Sequence, residues 1–174
     1  MTLLININTP TAMTKEQWEK MNSTLDKLAL WNWIQEPRVT IGCNLCMEID
    51  DYSFLWDIVD KYKIKYVRVS VTAPTKEEYK KNKDEYYLKM LPKFLNFVKE
   101  ADSRNVILGR DCNYIPYCYY ENEEELKLIQ KVLRAPPCSS PHCGPVIDIT
   151  PDFMASACFG AYSLINCNLF EDYR

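Results

Sequence analysis

The chain has 174 residues, 47% of them hydrophobic, with 21 Lys and Arg against 24 Asp and Glu. This is the composition of an ordinary globular protein, and its interspersed charges indicate neither a nucleic-acid-binding surface nor a membrane-surface patch. The four glycines cannot form the common phosphate-binding loops, and a single histidine, His142, excludes zinc hydrolases of the H-E-x-x-H type.

Strands and helices alternate in the first two thirds of the chain. Short runs rich in β-branched and other apolar residues predict strands at 3–7, 38–42, 66–71 and 106–109. Helices are predicted between them, after Thr14, over 52–62 and over 75–102, the last in two pieces with a kink or a new start at Pro92. Thr14 and Gln17 have the spacing of a capping box at the start of the first helix.

This alternation predicts an α/β fold in which parallel strands are joined by right-handed helical crossovers. Four such units make about half of an eight-unit TIM barrel, or a small doubly wound sheet. We therefore expect residues 1–111 to form the βα units of a partial TIM-type barrel. Ligands in such folds bind beyond the carboxyl ends of the strands, where Asn44 and Ser70 are the candidate binding residues. Polar residues are also needed there simply to satisfy free backbone groups.

The chain changes character after Asp111. Asn122 and Glu125 predict the capped start of a short helix, and segments 146–149 and 154–158 predict a β-hairpin. Residues 112–174 thus form the second predicted part, a small Cys-rich extension with a helix and a hairpin.

The eight cysteines fall into two groups. Cys43 and Cys46 form an isolated C-x-x-C, a pattern that two buried thiols explain as well as a redox pair or half a metal site does. Six more lie in the last third of the chain, where loops could direct several thiolates at one Zn²⁺ ion or iron–sulfur cluster: Cys112, Cys118, Cys138, Cys143, Cys158 and Cys167. No role is assigned to Cys167.

Several segments together resemble the radical S-adenosylmethionine (radical SAM) proteins. Segments 3–10, 39–44 and 66–74 look like the later strands of their partial TIM barrel. Segments 111–118 (DCNYIPYC) and 143–152 (CGPVIDITPD), followed by Cys158, resemble the SPASM or twitch extension of many members. The resemblance implies an auxiliary 4Fe-4S cluster bound by Cys112, Cys118, Cys143 and Cys158, with Cys138 as the alternate ligand.

One family motif is missing. The C-x₃-C-x₂-C loop that binds the catalytic cluster does not occur in this sequence. The chain therefore looks like the C-terminal half of the barrel plus its extension, and the missing N-terminal half is its implied partner. In the complete protein, the resemblance implies reductive cleavage of S-adenosylmethionine and radical modification of a substrate, often a peptide. Alone, this chain is not expected to carry out radical chemistry.

Two other interpretations remain open. The chain could be a non-catalytic zinc- or thiol-bearing α/β binding module, or a small α/β enzyme with Cys43 as its nucleophile. The N-terminus has no basic leader and no apolar stretch approaches the length of a membrane span, so we expect a cytoplasmic protein without membrane or nucleic-acid partners.

Overall fold

A computed structural model describes residues 3–31, 33–34, 38–72, 76–110, 115, 117–133, 148–149, 154–156 and 166–168. The chain divides into two compact units, residues 1–138 and residues 139–174. The first unit contains a parallel sheet and its helices, and the second contains a small antiparallel sheet. The predicted α/β class is confirmed.

The first unit alternates strands and helices as the sequence predicts. Its elements in chain order are β1 (Leu3–Asn6), α1 (Lys15–Leu30), β2 (Val39–Leu45), α2 (Ser53–Tyr62), β3 (Tyr66–Val71), α3 (Lys76–Ser103), β4 (Ile107–Arg110) and α4 (Glu123–Leu133). Two 3₁₀ turns, Pro10–Ala12 and Tyr117–Tyr119, precede α1 and α4.

The four strands β1 to β4 lie side by side in their sequence order, and all three pairings are parallel. Sequential order with right-handed crossovers places the connecting helices on one face of the sheet. Strand positions that face these helices are buried apolar residues, including Ile41, Leu45, Val67, Val69 and Leu108. They join residues of all four helices in one hydrophobic core, which stabilises the sheet from that side.

The alternate strand positions form a second surface. Its first row is mixed and contains Leu4, Thr40, Tyr66 and Ile107. The rows nearer the carboxyl ends, which we call the polar face, contain Asn6, Gly42, Asn44, Arg68, Ser70 and Gly109. Asn44 is exposed, whereas Arg68 and Ser70 are half-buried. The period-2 alternation of a strand therefore separates an apolar helix-covered face from one that is polar towards the carboxyl ends of the strands.

Side-chain caps fix the starts of two helices. Thr14 accepts a hydrogen bond from the Gln17 backbone N–H at 3.2 Å, and the Gln17 side chain accepts one from the Thr14 backbone N–H at 2.8 Å, so the predicted capping box is confirmed. Asn122 accepts from the Glu125 backbone N–H at 2.8 Å and caps α4 as predicted.

The two predicted pieces of the long helix are confirmed, but a new helix does not start at Pro92. The non-helical residue lies earlier, at Asn82, where φ is −169° and ψ is 91°. Asn82 Oδ1 accepts a hydrogen bond from the Glu85 backbone N–H at 3.3 Å, so Asn82 caps the second helical piece. Helical structure continues through Pro92, between the buried residues Leu91 and Phe94. Burial of those side chains offsets the hydrogen bond that proline cannot make.

The second unit contains three short antiparallel strands, β5 (Asp148–Ile149), β6 (Met154–Ser156) and β7 (Asn166–Asn168), in that order. Pairing of β5 with β6 confirms the predicted hairpin, whereas β7 was not predicted. The sequence placed a division near residue 111, but the compact units divide after Cys138. The physical reason is α4, which packs against α3 and β4 in the first unit.

Candidate functional site

Among the proposed cluster ligands, the structure describes only Cys118. This thiol is free and exposed, on the 3₁₀ turn Tyr117–Tyr119. Cys112, Cys143, Cys158 and the alternate Cys138 lie outside the described residues. Across the described ranges, no three His, Cys, Asp or Glu side chains are grouped closely enough to hold a metal ion. The cluster ligand set therefore stays a prediction.

The turn that carries Cys118 is fastened to α3 by its neighbour Tyr119. The Tyr119 hydroxyl donates a hydrogen bond to the Asp84 carboxylate, and its ring lies 5.4 Å from that of Tyr87 between centroids. The hydrogen bond to Asp84 is the main reason that the pKa of Tyr119 rises to about 12. Tyr119 therefore fixes the turn against the helix and leaves the Cys118 thiol accessible.

Asn44 and Ser70, the predicted barrel-mouth residues, lie side by side. Their backbones are paired in the β2–β3 register, near the carboxyl end of each strand. The Ser70 hydroxyl donates a hydrogen bond to Asn44 Oδ1. The structure thus brings the two candidate residues together as one polar pair.

A second row of the polar face was missed in the sequence. In register across the four strands, it consists of Asn6, Gly42, Arg68 and Gly109. A Cβ atom added to Gly42 would collide with the Asn6 amide, so that side chain occupies the space above the glycine. The signal in the sequence was the spacing of Arg68 and Ser70, two residues apart on one strand, which places both on the same face.

The C-x-x-C pair lies at the end of β2, with Cys43 in the strand and Cys46 directly after it. Cys43 is buried, and burial raises the pKa of its thiol to about 12. Cys46 is half-buried, and both thiols are free. The Tyr52 hydroxyl accepts a hydrogen bond from the Cys46 backbone N–H at 2.9 Å. A buried thiol with a raised pKa is a poor nucleophile, so this environment disfavours Cys43 as a catalytic residue.

The loop after β2 is held by a lysine from α3. Lys93 Nζ donates hydrogen bonds to the backbone oxygens of Met47 and Ile49, the latter at 3.2 Å, and pairs with Asp50 at 2.7 Å. Its side chain is only 22% exposed. These contacts fix the shape of the loop beyond the carboxyl end of the strand that carries Asn44.

A cleft of about 530 Å³ flanks β1 and α1. Its apolar lining includes Leu3, Ile5, Met13 and Met21, and its polar lining includes Asn8, Gln17, Lys20 and Thr24. Strand β1 is the edge of the sheet, and the exposed Leu4 lies on it. This flank has the apolar and backbone groups that a further strand and helix could cover.

Across the described part of the chain, no helix is both long and apolar enough to cross a membrane. In comparisons with known proteins, no family model, no curated protein and no solved structure matches this chain.

Proposed function

We propose that this chain is the C-terminal portion of a radical SAM iron–sulfur protein and binds an auxiliary 4Fe-4S cluster through Cys112, Cys118, Cys143 and Cys158, with Cys138 as the alternate ligand. The observation that carries the proposal is the four-strand sheet in sequential parallel order, followed by the free, exposed Cys118. In the complete protein the chain supports radical modification of a substrate, for which a peptide is our candidate.

The arrangement of the sheet supports the partial-barrel part of this proposal. A TIM barrel has its strands in sequential order, its helices outside and its strand side chains pointing inward in layers. Here the strands are sequential and the apolar face is covered by helices, while Asn44, Arg68 and Ser70 lie on the opposite face. In a barrel, that polar face lines the interior and its mouth.

The flank at β1 supports the partner that we propose, the N-terminal half of the barrel. In a parallel strand, alternate residues bond to opposite neighbours. The Leu3 N–H donates to the Arg38 oxygen just before β2 at 2.7 Å, and the Ile7 N–H donates to the Gly42 oxygen in β2 at 2.9 Å. The N–H groups of Leu4 and Asn6 therefore point away from β2. A parallel strand of the missing half would pair with these outward groups, and its helix would cover the adjacent cleft.

The donor chemistry at Cys118 fits an iron–sulfur cluster. Cysteine thiolates are the usual ligands of such clusters, and Cys118 is free, accessible and held on a turn that Tyr119 fastens to α3. A bound cluster would transfer electrons or anchor substrate. The free thiols Cys43, Cys46 and Cys118 also suit the reducing cytoplasm in which we place the protein.

Anaerobic reconstitution with iron and sulfide tests the proposal. We expect about four iron and four sulfide per chain and a broad absorbance in the visible region. Cys118→Ser should lower the iron content, whereas the matched control Cys46→Ser should not.

One bound zinc per chain, without colour and with stability lost to chelators, would instead identify the non-catalytic zinc module. A chain that binds neither metal would leave the four-cysteine assignment without support and overturn it.

A further inference from the structure

Among the described residues, the two most exposed large apolar side chains are neighbours at the end of α1. Leu30 is 81% exposed and Trp31 is 63% exposed. The Trp31 N–H donates to the Lys27 oxygen at 3.1 Å, so the end of the helix fixes its backbone. Its ring lies 6.3 Å from that of Trp33 between centroids. An adjacent tryptophan and leucine that both face water are typical of a surface that a partner covers.

Lysines of a second segment lie at the same end of the sheet. Helix α1 ends there before β2 begins, and Lys63 and Lys65 lie between the end of α2 and the start of β3. Lys61 Nζ donates to Asp26 Oδ1 at 3.2 Å, which joins the C-terminal parts of α2 and α1 directly. We use the name amino-end surface, since the strands begin here, for five exposed residues: Lys27, Leu30, Trp31, Lys63 and Lys65.

Ion pairing at this end of the sheet leaves an excess of positive charge. The described carboxylates near the C-terminal ends of the helices all pair with cations: Asp26 with Lys61, Asp60 and Glu100 with Arg104, and Asp102 with Lys131. Lys27, Lys63 and Lys65 form no ion pair with any residue that the structure describes. The unpaired charge of the amino-end surface is therefore positive, and it lies beside exposed apolar side chains.

We propose that the amino-end surface binds the surface of a membrane that contains anionic lipids. Tryptophan and leucine side chains enter the boundary between headgroups and acyl chains, while lysines beside them contact the negative headgroups. Each lysine held near such a surface contributes about fivefold in affinity. Three lysines with one tryptophan and one leucine therefore suit reversible binding to the membrane surface.

The chemistry of this surface favours lipid over a protein partner. The centre of a protein–protein interface is enriched in arginine and depleted in lysine. Here the unpaired cations are lysines, whose flexible stems let the ammonium groups follow mobile headgroups. Binding at the amino ends of the strands also leaves the opposite end accessible, where Asn44 and Ser70 lie.

A membrane-surface patch was not expected from the sequence, because lysines and carboxylates are interspersed along the chain. The fold changes this in two ways. It pairs the nearby carboxylates with other cations, and it brings lysines from α1 and from the α2–β3 connection to one end of the sheet.

Co-sedimentation of the metal-free chain with lipid vesicles tests the proposal. We expect phosphatidylcholine vesicles with about one third phosphatidylserine to bind the chain, and vesicles of phosphatidylcholine alone to bind it at least about tenfold more weakly. Added sodium chloride should weaken binding, because it screens the lysines. Brominated acyl chains should quench tryptophan fluorescence, and Trp31→Phe should reduce that quenching.

Two matched double variants separate local charge from net charge. Lys63→Glu with Lys65→Glu should raise the apparent Kd for anionic vesicles about 20-fold or more, because two favourable contacts become repulsive. Lys15→Glu with Lys80→Glu makes the same change in net charge at the starts of α1 and α3, and should change the Kd far less. All four lysines are exposed, so circular dichroism should show an intact fold in both variants.

Absence of co-sedimentation with anionic vesicles, or equal losses in the two double variants, would overturn the proposal. Stronger binding to poly-glutamate than to vesicles would assign the surface to an acidic protein and overturn the assignment to lipid. The chain is used without iron, so failure here is distinguishable from failure to bind a cluster, which iron analysis reports separately.

Discussion

Ser70 donates a hydrogen bond to Asn44 across the β2–β3 pair, and so joins the two polar side chains at the ends of adjacent parallel strands. This contact depends on the register, since a shift of one residue would move one of the two side chains to the opposite face of the sheet. The register is itself held by the buried neighbours Cys43 and Val69 on the other face. The apolar core therefore positions the polar pair.

A double-mutant cycle of Asn44→Ala and Ser70→Ala should measure the energy of this contact. We expect a coupling of about 0.5 kcal/mol, at the low end for a hydrogen bond because the pair is exposed. Urea unfolding of the two single variants and the double variant provides the measurement. Ser70→Ala combined with the distant Thr24→Ala is the control and should be additive; a coupling of the same size there would invalidate the interpretation.

Replacing Lys93 by methionine should destabilise the protein by about 1–3 kcal/mol, because the backbone oxygens of Met47 and Ile49 lose a charged donor. Lys89→Met is a matched control on the same helix. Lys89 forms an exposed pair with Glu85, and its loss should cost no more than about 0.5 kcal/mol. Equal losses in urea unfolding would show that Lys93 is not needed to hold the loop.

Iodoacetamide should distinguish the described thiols of the folded protein. The pKa of Cys43 is raised from 9.0 to about 12, so its thiolate fraction near pH 8 is about a thousandfold below that of an unperturbed thiol. Burial further restricts access to it. Mass spectrometry should find Cys118 modified early and Cys43 only after addition of urea; early modification of Cys43 would contradict its buried position.

The same pKa shift makes stability depend on pH. Unfolded Cys43 loses its proton near pH 9, whereas the folded state retains it to about pH 12. The contribution of the protonated thiol to the free energy of unfolding is therefore complete below pH 9 and is lost as the pH rises towards 12. Over this range the free energy of unfolding falls by up to about 1.4 kcal/mol per pH unit. Cys43→Ala should flatten the decline in unfolding free energy between pH 9 and 10 relative to the unsubstituted protein, and an equally steep decline in both would contradict the raised pKa of Cys43.

Proline substitutions should reveal which backbone N–H groups of β1 pair with β2. Leu4 N–H points away from β2, whereas the alternation set by Leu3 and Ile7 directs the Ile5 N–H towards it. Relative to alanine at the same position, proline at Ile5 should therefore cost about 1 kcal/mol more than proline at Leu4. Equal costs in urea unfolding would show that the edge is not free at Leu4.

Most of the first unit could be predicted from local signals. Thr14 and Gln17 specify a cap through bonds three residues apart, and the β-branched run 66–71 became a strand with those same ends. The break at Asn82 was missed because proline is the stronger sequence signal. The helix boundary depended instead on one side-chain bond to Glu85 and on burial around Pro92. Strand β7 was missed because its residues, Asn166–Asn168, include no β-branched or aromatic side chain, and pairing with β6 makes them a strand.

Some residues of the candidate site could likewise be selected from the sequence, and others could not. Asn44 and Ser70 could be selected from the sequence because each lies near the end of a predicted strand. Arg68, Gly42 and Gly109 could not be grouped, since they come from three strands and only the register aligns them.

The sequence by itself determined the α/β class, the helix caps and the polar residues near the strand ends, because propensity, capping and alternation act over a few neighbouring residues. Tertiary structure alone decided the row through Arg68, the burial of Cys43 and the anchoring of the Cys118 turn by Tyr119 and Asp84. Each of these depends on contacts between segments that are far apart in the chain, which form only when the helices pack on the sheet.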